Sequence, residues 1–502
     1  MSLTIDHVSP ILAVIRVTGR ALRTSVLSEI TEACTRAVKD GVRAVVIDFS
    51  EVTGVGYSGL ASLSEIYIAF GERVRLSFCG LDARSRNHLA QVGLDEILPL
   101  YDSVTEAMHT PPLRICRLFG TTAVVFADSG VEGILPVSEP RPRALLDMLD
   151  RPVLDRVLDR LRTSGVTSSI VCTHIASDEI RAYFRTERPT GIPTFFHYNG
   201  RRRPDGSWDP EPLGDATLLA RLTRDHAAFN GDVLVTWGDV LTDIDLVEMA
   251  DYHRDKGADV TIAASRLDAD EASRHVLLET DVMGRLTGMP RTVQGSTSMV
   301  SAGVYLFRAE VLNRMEEQDS WRIATDLTSA LLAEGAHIQT YRAPFKWTPL
   351  HSGRDYYGAQ VQSLGSDMAA LVPDAQEIRR NVWAAPSATV SPRARIEGPV
   401  YIGTGVVIEA EATIKGPAVI GADSVVEGRS LIEDSVICPE TYVGEGAIVQ
   451  GMIAGPNGAL VHRYADGGPV NIQPLDELSH VDDPVEETAA PLAPPQALPK
   501  IA

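Results

Sequence analysis

The part of the sequence that decides the fold most directly is a tract with a six-residue repeat. Residues 388–432 read ATVSPRARIEGPVYIGTGVVIEAEATIKGPAVIGADSVVEGRSLI. An aliphatic residue recurs at every sixth position, and a mostly small residue lies two positions before each. The aliphatic series is Val390, Ile396, Ile402, Ile408, Ile414, Ile420, Val426 and Ile432, and the small series is Ala388, Ala394, Val400, Val406, Ala412, Ala418, Ser424 and Ser430. This periodicity predicts a parallel β-helix, in which aliphatic side chains stack inward and small residues fit the corners.

The repeat resumes after a five-residue step at Ile437, Val443 and Val449, so we expect a β-helix over residues 380–460. Acyltransferases built on such repeats need a histidine base between coils, and residues 382–461 contain no histidine. A structural or oligomerising role therefore remains. The open edges of the β-helix must be covered by the preceding domain or by another subunit, and we predict a homo-oligomer. Residues 475–502 are rich in Pro, Ala, Asp and Glu, which is typical of a disordered tail.

Two sections with alternating strand and helix patterns precede the repeat. In residues 1–110, a helical pattern over 24–39, a buried strand pattern over 43–48, a helix opening at Ser58 and a strand over 74–78 predict an α/β layer fold. Residues 110–112, Thr-Pro-Pro, mark its end. In residues 111–370, buried strand patterns predict one large sheet with helices on both faces; they lie at 123–127, 169–173, 233–237, 260–264, 303–307 and 337–341.

Composition excludes several classes of function. The net charge of −21 is spread along the chain, which argues against binding to nucleic acid or to an anionic membrane surface. The five cysteines are dispersed without CxxC spacing, as in proteins whose thiols stay reduced. The N-terminus has no signal-peptide pattern, and no apolar run approaches the ~20 residues of a membrane span. We therefore expect a cytoplasmic protein without a membrane span.

Short motifs in the second section occur in a characteristic order, namely LPVSE at 135–139, RPRALL at 141–146, RPVL at 151–154, PLG at 212–214, WGD at 237–239, LTDID at 241–245, AGVY at 302–305, and Trp347 followed by Asp355-Tyr356. With the β-helix, this order resembles sugar-1-phosphate nucleotidylyltransferases, especially mannose-1-phosphate guanylyltransferases, over roughly residues 122–460. The resemblance implies a Rossmann-like, GT-A-like nucleotidyltransferase domain followed by a left-handed β-helix.

The resemblance also implies a set of site residues. Asp239 follows Gly238 at the end of an apolar strand, where a metal-bound phosphate can approach its carboxylate. In the resembling family this aspartate holds Mg²⁺, so Asp239 is the predicted magnesium ligand when a nucleotide is bound. Arg143 stands in place of a motif lysine and is the predicted catalytic cation. The matching motifs imply substrate binding at Gly214, Gly238, Ala302 and Gly303.

The chain departs from the family's glycine-rich loop, G-G-x-G-T-R-L-x-P. Residues 128–136 read DSGVEGILP, with Gly133 at the position of the arginine. Asp128 and Glu132 add negative charge where a triphosphate would lie. Such a loop lets the backbone approach the triphosphate closely. Its arginine neutralises the negative charge that develops on pyrophosphate.

Two further departures concern charged groups. Met289, before Pro290, replaces the lysine of the family's E-K-P motif, and Pro349, two residues after Trp347, replaces the second metal-binding aspartate. A charge-assisted hydrogen bond contributes roughly 1.5–3 kcal/mol, and metal polarisation several more. Losing the loop arginine, one lysine and one metal ligand would remove about 6 kcal/mol, which is roughly four orders of magnitude in rate.

The first section carries a second resemblance. Residues 45–53, VVIDFSEVT, followed by YSGL at 57–60, resemble STAS domains of the anti-sigma factor antagonist type over residues 3–108. In that family the second serine of a D-S-S-G motif is phosphorylated by a partner kinase, and Ser58 occupies its place, although Gly56 and Tyr57 replace the two preceding residues. A phosphate there would be stabilised by the helix N-terminus and would change the charge of a docking face. Alternatively, Ser58 only caps the helix.

Two functions remain open for the chain as a whole. We favour a degenerate nucleotide-sugar pyrophosphorylase that serves as a regulatory or scaffold protein of polysaccharide metabolism. It would bind a nucleotide, a nucleotide sugar or a true pyrophosphorylase, and would meet a protein partner through its STAS-like module. The alternative is an active sugar-1-phosphate nucleotidylyltransferase that uses Mg²⁺ at Asp239 together with Arg143.

Overall fold

The structure is a computed structural model that describes residues 2–19, 24–52, 57–127, 142–174, 177–186, 190–201, 203, 205, 211–226, 229, 231–365, 375–456, 459–462 and 471–472. The chain forms two compact units, residues 1–135 with 139–372, and residues 136–138 with 373–502. The expectations for the loop at 128–136 and for the tail at 475–502 lie outside the described residues. Among the described residues, no helix is long and apolar enough to cross a membrane.

The first sheet of the larger unit has the strand order β1-β2-β3-β4-β5, in which β1 is antiparallel to β2 and the other neighbours are parallel. Buried residues of β2 and β3 alternate between its two faces, because Ile15 and Ile47 pack with the first two helices while Leu12 and Val46 face Met108. The elements are β1 (Ser2–Ser9), β2 (Leu12–Gly19), α1 (Thr24–Lys39), β3 (Ala44–Val52), α2 (Tyr57–Phe70), β4 (Arg75–Cys79), α3 (Ala83–Gln91), β5 (Leu100–Tyr101) and α4 (Val104–His109). This confirms the predicted α/β layer.

A short connecting segment continues from this sheet into the next. Helix α5 (Pro111–Arg114) begins with a proline, which is favourable at a first helical position, and a 3₁₀ turn (Ile115–Leu118) follows. Leu113 packs into the core of the first sheet. Arg117 forms an ion pair with Asp251, which belongs to the following sheet domain. The segment is therefore anchored on both sides, and both sheets belong to one compact unit.

The second sheet has the strand order β10-β9-β6-β11-β16-β13-β17. Strands β10, β9, β6 and β11 run parallel, whereas β16 is antiparallel to both of its neighbours β11 and β13. The elements are β6 (Thr122–Ala127), β7 (Asp147–Met148), β8 (Arg151–Pro152), α6 (Val153–Thr163), β9 (Ser168–Thr173), α7 (Ser177–Thr186), β10 (Thr194–Tyr198), α8 (Asp215–His226), β11 (Val233–Trp237), β12 (Val240–Thr242), α9 (Leu246–Asp255), β13 (Val260–Asp268), α10 (Ala269–Ala272), β14 (Leu277–Thr280), β15 (Leu286–Gly288), β16 (Thr297–Phe307), α11 (Ala309–Asn313), α12 (Thr328–Ala333), β17 (Ile338–Tyr341), β18 (Trp347–Pro349) and α13 (Gly353–Leu364). The carboxyl ends of the parallel strands meet at one edge, which is where such sheets bind ligands.

The smaller unit is the predicted parallel β-helix. Val382 pairs with Val400 and Val400 with Ala418, so each coil contains eighteen residues, or three hexads. The five-residue step appears as a shorter coil, because Val419 pairs with Val436. The inward residues of the repeat, among them Ile402, are buried. Its strands are β19 (Gln376–Arg379), β20 (Val382–Ala384), β21 (Thr389–Val390), β22 (Arg395–Glu397), β23 (Val400–Ile402), β24 (Val407–Ile408), β25 (Thr413–Lys415), β26 (Ala418–Ile420), β27 (Val425–Val426), β28 (Leu431–Glu433), β29 (Val436–Ile437), β30 (Tyr442–Val443), β31 (Ile448–Gln450), β32 (Met452–Ala454), β33 (Ala459–His462) and β34 (Asn471–Ile472).

Candidate functional site

The candidate site begins where β11 leaves the sheet core. The Gly238 amide donates a hydrogen bond of 2.8 Å to the carbonyl of Phe126, which extends the pairing of β11 with β6. A Cβ atom at Gly238 would lie 3.1 Å from Cδ1 of Leu154 and 3.2 Å from Cβ of Ala127. Glycine is therefore the residue that best fits this approach. It places Asp239 immediately beyond the carboxyl edge of the parallel strands.

Asp239 and Arg143, which the sequence predicted separately, lie together. Asp239 is only 3% exposed, and Nε of Arg143 lies 3.8 Å from its Oδ2. Nη1 of Arg143 donates to the carbonyl of Leu350 at 3.4 Å, and the Leu350 amide donates to the carbonyl of Asp239 at 2.9 Å. A buried carboxylate needs a nearby positive charge or strong hydrogen bonds, because burial removes its hydration. Arg143 supplies that charge.

Pro349 lies beside this pair. It pairs with Val240 between β18 and β12, one residue from Asp239, and its side chain has no atom that can bind a metal. Mg²⁺ requires near-octahedral oxygen ligands. Among the described residues, no group of three or more His, Cys, Asp or Glu side chains is placed to hold a metal ion. Pro349 therefore supplies no carboxylate at the position where the resemblance implies a second metal ligand, and Asp239 remains the predicted ligand.

A large cavity lies in the same domain. Its volume is about 1050 Å³, and its walls include Val276, Leu277, Met289 and Trp321. Met289 and Trp321 are partly buried and pack against the sheet core. The cavity has a wall of mixed apolar and polar side chains and is large enough for a ligand of substrate size.

A chain of contacts through His275 and strand β18 leads from the cavity wall to Asp239. His275 lines the cavity, and its ring packs edge-on against Trp347 with centroids 4.9 Å apart. Burial lowers the pKa of His275 to about 4, so the ring is neutral at pH 7. Trp347 begins β18, the strand that ends at Pro349 beside Asp239.

Gly214 has a packing role. A Cβ atom there would lie 2.2 Å from the carbonyl oxygen of Trp321, which is closer than any side chain can come. Asn199 holds the preceding residue, because its side chain accepts from the Leu213 amide and donates to the Leu213 carbonyl, both at 3.1 Å. The PLG turn is therefore fixed against the segment that carries a cavity wall, and substrate contact by Gly214 stays a prediction.

Ala302 and Gly303 lie in an irregular part of β16. Ala302 is buried in the core. Gly303 has a φ of +74°, which favours glycine, and the pairing of β13 with β16 shifts register at this point. Bulges of this kind often redirect side chains near binding sites. Contact between these two residues and a substrate likewise stays a prediction.

Comparisons with known proteins agree with this architecture. Residues 3–107 match the STAS domain family, residues 132–364 match the Nucleotidyl transferase family, and residues 378–462 match the GMPPB C-terminal domain family. The chain is built from these three domains. The STAS domain is a protein-interaction module, and nucleotidyl transferases typically use a divalent metal ion.

Two curated relatives and one solved structure show the range of similar proteins. A UTP–glucose-1-phosphate uridylyltransferase from Synechocystis is 25% identical over 56% of this chain and 73% of its own length. A putative mannose-1-phosphate guanyltransferase from Sulfolobus acidocaldarius is 25% identical over 56% of this chain and 71% of its own length. The crystal structure of HddC from Yersinia pseudotuberculosis is 18% identical, with a TM-score of 0.40, and covers 48% of this chain and 97% of that chain.

Ser58 is the second residue of α2 in the STAS domain, close to where the helix was predicted to open. Its side chain lies outside the described residues, as does Gly133 of the loop in the nucleotidyl transferase domain. Phosphorylation of Ser58 therefore stays a prediction.

The sequence interpretation missed Trp321 and His275, which line the cavity. Trp321 carried a weak signal, because it lies between Ser320 and Arg322 in an otherwise polar run. His275 carried none.

Proposed function

We propose that this chain is a degenerate nucleotide-sugar pyrophosphorylase that acts as a regulatory or scaffold protein of polysaccharide metabolism, with a signalling input through its STAS domain. One observation carries the proposal. The buried carboxylate of Asp239 faces the guanidinium of Arg143, and Pro349 stands beside it where a second metal-binding carboxylate would be needed.

This arrangement favours binding over turnover. A guanidinium 3.8 Å from Asp239 already balances its charge, so a divalent cation at the same carboxylate would meet a positive neighbour. Arg143 can still meet a diphosphate at the carboxyl edge of the sheet, because a guanidinium donates to phosphate oxygens in a planar fork. The site therefore retains an anion-binding group, while Pro349 takes the place of a second metal-binding carboxylate.

Ligand-induced stabilisation of the full chain tests the proposal. UDP-glucose or GDP-mannose should raise the melting temperature, since a ligand at one hundred times its Kd adds about 2.7 kcal/mol of stability. Arg143→Gln should remove most of this shift. Arg201→Gln, at a half-exposed arginine that pairs with the exposed Asp319, is the matched control and should keep it. No shift with either nucleotide sugar would contradict the proposal.

An active sugar-1-phosphate nucleotidylyltransferase is the second candidate. Asp239 is retained at the strand end, and relatives named as uridylyl- and guanylyltransferases favour this function. The enzyme would join an NTP and a sugar 1-phosphate to give an NDP-sugar and pyrophosphate, with Mg²⁺ at Asp239 and Arg143 as the catalytic cation. Pyrophosphate release that disappears in Asp239→Ala would establish it.

The STAS domain supports a protein partner in either case. We propose Ser58 as its phosphorylation site, because Ser58 is the second residue of α2 and the N-terminus of a helix favours a phosphate group. Mass spectrometry of the chain purified from its own cells should find phosphate on Ser58. Phosphate found only at other residues would contradict this assignment.

A further inference from the structure

Two arginines of the connecting segment hold one helix of the nucleotidyl transferase domain. Arg114, the last residue of α5, forms an ion pair with Asp245, and Arg117 forms one with Asp251. Asp245 is the N-cap residue of α9, and Asp251 lies within that helix. Arg254 of α9 adds a further contact, because its Nη1 donates to the Arg117 carbonyl at 3.2 Å. Helix α9 is therefore attached to the connecting segment at its N-terminus and again near its middle.

The same segment is fixed to the STAS domain. Ser9, the last residue of β1, is buried, and its hydroxyl donates to the Cys116 carbonyl at 2.6 Å. Leu113 packs into the core on one face of the first sheet. The chain then passes Gly120, where a Cβ atom would lie 3.0 Å from Cγ of Pro10. A shift of the segment would therefore disturb contacts in the STAS domain.

Helix α9 begins close to the buried carboxylate of Asp239. The turn before the helix is held by Arg160 of α6, whose Nη2 donates to the carbonyls of Asp243 and Ile244, both at 2.6 Å. Oδ1 of Asp243 accepts from the amide of Lys346 at 2.6 Å, one residue before β18. Strand β12, which leads into this turn, pairs with β18 next to Asp239. The start of α9 therefore shares one hydrogen-bonded framework with the candidate site.

The two sides meet at the carboxylate of Asp245. Its Oδ1 accepts from the amides of Val247 and Glu248 at 3.1 and 3.0 Å, which caps α9, while its Oδ2 accepts from Arg114. A side-chain cap of this kind stabilises the first helical turn. Both oxygens belong to one rigid carboxylate, so a displacement of Arg114 acts directly on the first turn of α9.

We propose that the connecting segment and α9 couple the STAS domain to nucleotide-sugar binding. Docking of a protein partner on the STAS domain shifts the segment, and the Arg114–Asp245 and Arg117–Asp251 pairs pass this shift to α9. The turn beyond Asp239 then changes, which lowers the affinity for a nucleotide sugar. The coupling rests on the proposed function, because it requires that the chain bind a nucleotide sugar. Coupling between two sites is reciprocal, so the bound ligand in turn stabilises the segment.

Hydrogen exchange of the full chain, followed by mass spectrometry, measures this reciprocity with UDP-glucose and GDP-mannose as probes. The amides of Leu113 and Arg114 donate to the Thr110 carbonyl at 3.1 and 2.9 Å, so their exchange reports local opening of the segment. If opening weakens ligand binding by a given factor, the bound ligand suppresses opening by the same factor. A saturating nucleotide sugar should therefore slow exchange in residues 111–118 by about fivefold or more.

Replacing the two arginines should disconnect the domains. In the double variant Arg114→Gln, Arg117→Gln, the nucleotide sugar should bind about fivefold more weakly and should no longer slow exchange in the segment. Exchange around Asp239 should still slow at saturation. Arg114→Lys keeps the cation and should keep both effects. Arg224→Gln breaks an ion pair with Glu317 inside the nucleotidyl transferase domain and is the matched control, which should behave as the unmodified chain. If the double variant fails to fold, Arg114→Gln alone, at a partly exposed side chain, should show the same changes at smaller size.

The outcomes separate the coupling from the proposed function. If a nucleotide sugar binds and slows exchange around Asp239 but leaves exchange in the connecting segment unchanged, the coupling is wrong while nucleotide-sugar binding stands. Either an unchanged affinity or a persisting protection of the segment in the arginine variants also contradicts the coupling. If neither UDP-glucose nor GDP-mannose binds, the proposed function and the coupling fall together.

Discussion

The pairing of Arg143 with Asp239 makes a prediction about stability that separates a structural ion pair from a metal site. If Arg143 neutralises the buried carboxylate, Asp239→Asn should destabilise the chain, because it leaves a mostly buried guanidinium without that partner. If Asp239 were poised for a metal ion instead, removing its charge would stabilise the metal-free chain. The two accounts therefore predict opposite signs.

The geometry sets the size of the effect. At 3.8 Å, two unit charges attract by about 4 kcal/mol with an effective dielectric constant of roughly 20. The cost of removing both groups from water offsets much of this, since the side chains are only 4% and 17% exposed. A coupling free energy of about 1–3 kcal/mol remains.

A double-mutant cycle measures this coupling. Urea unfolding is followed for the unmodified chain, Asp239→Asn, Arg143→Gln and the double variant, all without divalent metal. The cycle for Arg201→Gln and Asp319→Asn, an exposed pair, is the control and should give less than about 0.5 kcal/mol. A coupling near zero for the buried pair, or a chain stabilised by Asp239→Asn, would refute the ion-pair account.

Further predictions concern other parts of the chain. Burial lowers the pKa of His253 to about 4, below its ordinary 6.5. Between pH 6.5 and 4 the unfolded chain therefore binds a proton that the folded chain does not. The free energy of unfolding should fall by about 3 kcal/mol over this range. Urea unfolding of His253→Gln should lack this part of the fall, and an unchanged pH profile would count against it. A Cβ atom at Gly165 would lie 2.1 Å from the Ile115 carbonyl oxygen, so Gly165→Ala should cost clearly more in thermal unfolding than Gly41→Ala, which meets nothing within 4 Å and should cost about 1 kcal/mol. Equal losses of stability in Gly165→Ala and Gly41→Ala would contradict the close packing of Gly165 against the connecting segment. Light scattering at micromolar concentration should find a homo-oligomer, and a single monomeric species would contradict that prediction.

Much of the fold was predictable where apolar residues recur along the sequence at one regular spacing. The hexads located the β-helix and its shortened coil, because a long series of inward aliphatic side chains at every sixth position is specific to that fold. Helix α1 matched its predicted bounds, and β11 was found as a continuous buried run. Strand β1 was missed because it lies at the edge of its sheet, with mostly exposed or half-buried residues and no strong apolar signal.

The connecting segment shows what a local signal leaves open. Thr-Pro-Pro at 110–112 predicts an end to the first module, and proline does end helices. Pro111 also begins α5, and the helix packs onto the first sheet through Leu113. In sequence, a proline that begins a helix cannot be told from a proline that marks the end of a domain. Only tertiary packing distinguishes the two.

The residues of the candidate site could be proposed one by one from the sequence, but their arrangement could not. Motif order located Asp239, Arg143 and Pro349, yet Arg143 and Asp239 lie 96 positions apart in sequence. Their pairing depends on how the turn after β11 meets the segment before β7. The cavity wall that includes Trp321 likewise depends on long-range packing, which no local pattern encodes.

The central claim is that the nucleotidyl transferase domain binds nucleotide sugars without the family's turnover, and pyrophosphate release tests it most directly. The full chain is incubated with Mg²⁺ and each NTP, paired with glucose 1-phosphate or mannose 1-phosphate. We predict release no faster than in Asp239→Ala for every pair, consistent with a loss of roughly four orders of magnitude in rate. Release with any pair that disappears in Asp239→Ala would contradict the claim and establish an active enzyme.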